Sequence, residues 1–216
     1  GGNKQATGQG AVRAGSEDPD DIERAQNSNQ ANANAQQANM NAQEIERLKS
    51  FKHIDRQREF VATRILRHQL FGFQHIHYDI HGAPFIENEG FISISHRKNM
   101  VGIAINKAYK IGLDLEPYRE TIHAVKHKFL SENEKNKFDI ENYKEVTRLW
   151  SAKEALYKLA GRKKIIFKTE LLLDKNQKGQ WFGEIINPDH HLFVKLDIFE
   201  HKETIISINS DKIEKR

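Results

Sequence analysis

Ile111-Gly112-Leu113-Asp114-Leu115-Glu116 and, downstream, Trp150-Ser151-Ala152-Lys153-Glu154-Ala155-Leu156-Tyr157-Lys158 are the two stretches on which the fold of this chain turns. The first alternates as a strand does, so Asp114 and Glu116, two residues apart, direct both carboxylates to one face. The second lies in a helical pattern running from about Glu145 to Ala160 and stopping at Gly161. Trp150, Glu154 and Lys158 fall at i, i+4 and i+8 on one face, flanked by Lys153 and Tyr157, while Leu149, Ala152, Leu156 and Leu159 can face a core. Two carboxylates on a strand and a third on a helix, with lysines alongside, suit a hard, oxygen-seeking cation carrying a phosphate ligand. The same Glu–Lys spacing also occurs on ordinary solvated helices, so spacing alone does not decide between them.

Upstream of these stretches, Ile45, Leu48, Phe51, Ile54, Phe60, Val61, Ile65, Leu66 and Leu70 recur at three- and four-residue steps with arginines between them. This predicts one or two amphipathic helices closed by Gly72. A turn at His81-Gly82-Ala83-Pro84 is followed by a strand over Phe91 to Ile94, with Ser93 and Ser95 on one side and Ile92 and Ile94 on the other. A second strand, Met100 to Asn106, and a third, Ile111 to Glu116, are joined by the polar turn Lys107 to Lys110. Ser131-Glu132-Asn133-Glu134 has the form of a capping box and predicts a helix start. Ile165 to Leu173, Gln180 to Asn187, His191 to Glu200 and Thr204 to Asn209 read as further strands. The sum is an α/β (α+β) chain with short, mainly antiparallel strands packed on helices.

The 216 residues are 38% apolar, enough for a core because polar residues are concentrated at the front. No aromatic residue occurs before Phe51, and Gln26 to Gln43 is almost wholly Asn, Gln and Ala. Such a segment cannot bury enough apolar surface to offset its ordering entropy. Residues 1–43 are therefore expected to be a disordered leader, its Gly1-Gly2 opening reading as a processed start. The balance of 34 Lys and Arg against 30 Asp and Glu gives a formal charge of +4, too slight to argue for a nucleic-acid partner. No run of 18 apolar residues and no cysteine occurs, so neither membrane insertion nor a disulfide scaffold is expected, and a cytoplasmic setting is the default.

Ile111 to Glu116 resembles the Gly-Ile-Asp-Ile-Glu signature of 4′-phosphopantetheinyl transferases, and Trp150 to Lys158 resembles their Trp-x-x-Lys-Glu-Ala-x-x-Lys signature. Both stand in the family's order and separation. Ile94-Ser95-His96 is similar to the family's Ser-His motif, and Phe129 to Glu134 to the segment between the signatures. Over about residues 44–210 the chain most resembles the larger, monomeric, surfactin-synthetase-activator type, a pseudo-dimer of two similar α/β halves. On that resemblance residues 44–108 would be the N-terminal half, incomplete at its front, and residues 109–216 the C-terminal half carrying the metal site.

The resemblance implies that Asp114, Glu116 and Glu154 hold Mg²⁺, or Mn²⁺ in its place, together with the diphosphate of coenzyme A. Glu154 would take the proton from a serine hydroxyl of an apo acyl or peptidyl carrier protein of fatty-acid or secondary-metabolite synthesis. That oxygen attacks the β-phosphate, 3′,5′-ADP leaves, Lys158 meets the departing phosphate and Lys153 assists. Ser95 and His96 match positions that contact nucleotide phosphates, and Arg58 matches a residue that binds the 3′-phosphate, with Arg47 and Lys49 as further candidates.

Two departures stand out. Relatives carry Gly-Lys-Pro where this chain has Gly82-Ala83-Pro84, so a phosphate-binding lysine is absent, and the expectation is either weaker coenzyme A binding or Arg97 or Lys98 in its place. Relatives also begin with a strand where this chain has the Asn/Gln/Ala stretch. These departures leave a non-enzymatic alternative, a catalytically impaired paralogue that binds carrier protein or coenzyme A. A zinc reading of His68, His75, His77 and His81 is a weaker rival, without a supporting carboxylate–histidine motif.

Overall fold

The computed structural model of the chain describes residues 38–161, 164–188 and 190–215. The expectation for residues 1–37 lies outside the described residues. Ala38, by contrast, is fully buried against Leu48 and Val61, so the folded part reaches back ahead of Glu44. Backbone contacts anchor it as well: the buried guanidinium of Arg67 donates to the carbonyls of Ala38 and Asn39. An apolar count misses that kind of attachment.

Asn41 then caps helix α1 (Ala42–Ser50), accepting the Glu44 N–H at 2.8 Å while its own N–H donates to the Glu44 carboxylate at 3.2 Å. Helix α2 (Ile54–Phe71) follows and stops at Gly72, whose φ of +62° is open to glycine at little cost. Strands β1 (His77–Tyr78), β2 (Pro84–Ile86), β3 (Gly90–Arg97) and β4 (Met100–Asn106) form an antiparallel sheet in sequence order.

The second sheet begins with β5 (Leu113–Pro117). The chain then runs through a 3₁₀ turn (Glu120–Val125) and helices α3 (Lys126–Phe129), α4 (Glu132–Lys137), α5 (Tyr143–Ala160) and α6 (Phe167–Glu170). It returns through β6 (Leu171–Lys175), β7 (Trp181–Asn187), β8 (His190–His201), β9 (Thr204–Asn209) and β10 (Glu214–Lys215). The sheet order is β5-β9-β8-β7-β6, with β10 beside β8 and every pairing antiparallel. Helix α5 lays Val146, Leu149, Ala152 and Leu156 against Leu171, Leu173, Ile185 and Leu196, all buried, which makes the main core. Antiparallel sheets packed on helices agree with the fold class read from the sequence. Each sheet has an 18-residue helix of its own, an arrangement compatible with two related halves.

The expected strand from Ile165 to Leu173 is corrected. Its first part is α6, and the strand starts only at Leu171. Local hydrogen bonds close the turn, since the Ile166 N–H donates to the Glu170 carboxylate at 2.6 Å and the Glu170 N–H to the Ile166 carbonyl at 2.8 Å.

Candidate active site

Strand β5 lies at the edge of the second sheet, so some of its N–H groups have no ladder partner within that sheet. Two of them are met by serine hydroxyls of β3: Leu113 N–H donates to Ser93 Oγ at 2.9 Å and Leu115 N–H to Ser95 Oγ at 3.1 Å. The two serines that share a face in the sequence therefore stitch the sheets together. Gly112, just ahead of β5, lets the backbone close on α5, because a Cβ there would collide with the Ala155 carbonyl and the Leu159 side chain. Asp114 and Glu116 are thereby held beside α5.

On that side Asp114 Oδ1 accepts from Lys158 Nζ at 3.2 Å and from Ser95 Oγ–H at 3.3 Å. Lys158 Nζ also donates to the Leu113 carbonyl. Glu116 accepts from the Trp150 indole N–H at 2.8 Å and pairs with Arg119 at 3.5 Å. Burial pushes the Glu116 carboxyl up, helped by Asp114 and opposed by Arg119, Trp150 and Lys158. Glu154, half-buried next to them, is pushed up to about 7 by burial first and then by Asp114, with Lys158 opposing. Asp114, Glu116, Glu154 and Lys158 are thus brought into one electrostatic group.

Among the described residues, no three His, Asp or Glu side chains are already grouped as a metal site. Asp114 and Glu116 are turned instead to Lys158, Ser95, Trp150 and Arg119. The donor set nevertheless fits a divalent cation on two counts. Asp114 Oδ2 is buried without a hydrogen-bond partner. Two like charges also raise the Glu154 carboxyl, a cost that a cation held by oxygens relieves.

Lys158 also lines a cavity of about 730 Å³ between the first sheet, α1, α2 and the end of α5. Its walls carry Arg47, Arg56, Arg64, His75, His81 and His96, with Glu44 paired to Arg64 and Glu59 paired to Arg56. Ala83 lines it as well, so the missing lysine falls on a cavity wall, whereas Arg97 and Lys98 are not among its lining residues. Arg97 donates instead to the carbonyls of Lys98 and Lys202.

A family model of the 4′-phosphopantetheinyl transferase superfamily matches residues 110–205, the stretch that supplies all three carboxylates and Lys158. The chain carries a 4′-phosphopantetheinyl transferase superfamily domain. The match supports a transferase of the phosphopantetheinyl group in general terms. No curated protein matches the chain. No helix among the described residues is long and apolar enough to cross a membrane.

The remaining sequence-predicted residues of this transferase domain and its N-terminal neighbour are scattered in the structure. Lys153 is not brought to the carboxylates. It is fully buried on another side of α5, where its Nζ donates to Glu134 at 2.8 Å and to the Phe129 and Phe167 carbonyls. Flanking Glu154 in sequence turns a side chain about 100° around a helix, so neighbours point apart. Ser95 is buried and spent on Asp114 and Leu115, and does not line the cavity. Arg58 is 73% exposed and, among the described residues, pairs with Asp55 at 3.6 Å, away from the cavity wall. Lys49 does not line the cavity, whereas Arg47 and His96 do.

Arg56, Glu59 and Arg64 line the cavity without having been singled out as ligands in the sequence. The signal was present, because 56, 59, 60, 63 and 64 share one face of α2, while 58 lies opposite. The histidines serve separate local contacts: His68 with the Gly72 carbonyl, His75 with Arg67 and Glu44, His77 against Phe85.

Proposed function

We propose that the chain transfers the 4′-phosphopantetheine group from coenzyme A to a serine of an apo acyl or peptidyl carrier protein, releasing 3′,5′-ADP. The observation that carries this reading is the continuity of the acidic group with the cationic cavity through one residue, Lys158, which touches Asp114 and lines the cavity wall. A diphosphate donor needs both, positive charge along its phosphates and an acidic group for the metal at the point of cleavage.

Asp114, Glu116 and Glu154 would hold Mg²⁺. When bound, the ion neutralises the diphosphate charge and favours departure of the nucleotide phosphate. Glu154 takes the proton from the carrier serine hydroxyl. The serine oxygen then forms a bond to the β-phosphorus, the bond from that phosphorus to the bridging oxygen breaks, and the oxygen leaves with 3′,5′-ADP. Lys158 stands beside Asp114 to meet the charge on the leaving phosphate. Ser95 and Trp150 orient Asp114 and Glu116. Lys153 acts at a distance, fixing the rotation of α5 so that Glu154 faces the acidic strand.

The test is incubation with coenzyme A, Mg²⁺ and a panel of apo carrier proteins, read by mass spectrometry. The expected outcome is the phosphopantetheine increment on the carrier serine, lost in Asp114→Ala. Ala83 on the cavity wall is the one observation favouring the alternative of an impaired coenzyme A or carrier-binding module. Binding of coenzyme A without transfer to any carrier would support that alternative and sink the enzyme reading.

A further inference from the structure

Three buried polar atoms around the acidic strand have no hydrogen-bond partner among the described residues: Asp114 Oδ2, Ser207 Oγ and Ser151 Oγ. They belong to three elements, β5, β9 and α5, and the residues are 5%, 0% and 0% exposed. Register brings the first two together, because Ser207 stands directly opposite Asp114 across the β5–β9 ladder. The Leu113 and Leu115 N–H groups turn away to β3, so the backbone of Asp114 between them faces β9. Residues opposed in this way project their side chains to the same face.

Helix α5 supplies the third atom. It packs on both β5 and β9 and runs antiparallel to β5, with Ala155 over Gly112 and Trp150 bonded to Glu116. Ser151 lies four residues before Ala155 on the same side of the helix. Four helical residues and two strand residues each span about 6–7 Å, so Ser151 is level with Asp114. Its hydroxyl is not folded back on the helix as that of Thr147 is, which donates to the Tyr143 carbonyl at 2.8 Å.

Polar atoms held in a dry interior without partners are costly, and an internal water meets such groups where two to four of them converge. A carboxylate oxygen only accepts, whereas a serine hydroxyl donates or accepts, so one water donating to Asp114 Oδ2 completes its remaining bonds with the two serines. Asp114 Oδ1 is already held by Lys158 and Ser95. A hold on Oδ2 as well fixes the rotation of the carboxylate about its own bond.

We propose that Asp114 Oδ2, Ser207 Oγ and Ser151 Oγ form a binding site for one internal water, through which Ser207 and Ser151 act as positioning residues for Asp114. The positioning role rests on the reading of Asp114 as a metal ligand; the water site does not.

Two measurements on the full chain test this. High-resolution diffraction from metal-free crystals is expected to show one ordered water about 2.7–3.2 Å from each of the three atoms. Binding of Mn²⁺ in the presence of coenzyme A, read from the paramagnetic resonance of the free ion, is expected to weaken about tenfold in Ser207→Ala and in Ser151→Ala. Since both act through one water, the double variant is expected to lose about tenfold as well, where independent roles would multiply to about a hundredfold. Ser207→Thr keeps the hydroxyl and is expected to stay within about threefold of wild type. Thermal unfolding without metal confirms that each variant is folded, and Ser151→Ala with the diffraction result decides the matter if position 207 tolerates no replacement.

Losses that multiply in the double variant would overturn the shared site. So would wild-type Mn²⁺ binding in either single variant, a Ser207→Thr as weak as Ser207→Ala, or diffraction showing both hydroxyls bonded to protein groups with no water between them. An ordered water in a wild type that binds no Mn²⁺ would support the water site and overturn both the metal reading and the positioning role. The expected affinities without transfer to any carrier would support the proposal and sink the enzyme reading alone.

Discussion

Glu154 bears the electrostatic cost of the acidic group. Its folded value of about 7 stands above the ordinary 4.5. Below about pH 4.5 both folded and unfolded states hold the proton and Glu154 contributes nothing to the pH dependence. As pH rises toward 7 the folded state keeps a proton that the unfolded chain has released, so stability falls, and above 7 the full cost of a buried, repelled carboxylate is present. Glu154→Gln is expected to melt about 2–5 °C higher than wild type near pH 8, with the gap shrinking toward pH 5, as scanning calorimetry without metal would read. Added Mg²⁺ should raise the wild-type melting temperature near pH 8 and leave the variant's unmoved. The same variant is expected to lose transfer about 100-fold or more, since it cannot take the serine proton.

Trp150 acts on the same group through Glu116. Its indole N–H holds one Glu116 oxygen at 2.8 Å, while its rings pack on Phe129 and Phe167. Trp150→Phe keeps the packing and removes the donor. The half-saturating Mg²⁺ concentration for transfer should rise about tenfold, the usual size of a lost contact behind a metal ligand.

At the scale of elements, the approach of β5 to α5 sets the site. Gly112→Ala places a methyl into the Ala155 carbonyl and Leu159. Relief of that clash moves the strand carrying Asp114 and Glu116 away from the helix carrying Glu154. The expected cost is about 1–3 kcal/mol in urea unfolding, with transfer reduced about tenfold or more in the folded fraction. The rotation of α5 is fixed from its other side by Lys153 and Glu134, which are 0% and 1% exposed. Glu134 also accepts the Leu173 N–H at 2.9 Å and the Ser131 N–H at 2.8 Å, tying α4, α5 and β6 together. Lys153→Met leaves Glu134 as a buried, unpaired carboxylate and is expected to cost about 3–5 kcal/mol by urea unfolding.

For the whole molecule, the join between the sheets is a pair of hydroxyls rather than a ladder. Ser93 and Ser95 are both buried and each accepts one N–H from β5. Replacing both by alanine leaves two buried donors unmet, at about 1–3 kcal/mol each. Hydrogen exchange should then quicken at the Leu113 and Leu115 amides while amides of β7 and β8, deep in the second sheet, keep their protection. Unchanged exchange at Leu113 and Leu115 would mean the sheets are held together by packing alone.

Local rules determined a good deal of this protein from its sequence. Alternation placed Asp114 and Glu116 on one face, helical spacing aligned Trp150, Glu154 and Lys158, the Ser131-to-Glu134 capping box marked a helix start, and Gly72 and Gly161 marked helix ends, because each depends on backbone geometry within a few residues. Tertiary structure alone decided the rest. It buried Lys153 against Glu134, turned Ser95 from the cavity to Asp114, left Arg58 in solvent while Arg56 met Glu59 and His96, and bound Ala38 through its carbonyl to Arg67. Each of these depends on which distant group completes a hydrogen bond or neutralises a charge once solvent is excluded, and a partner of that kind leaves no mark in local spacing.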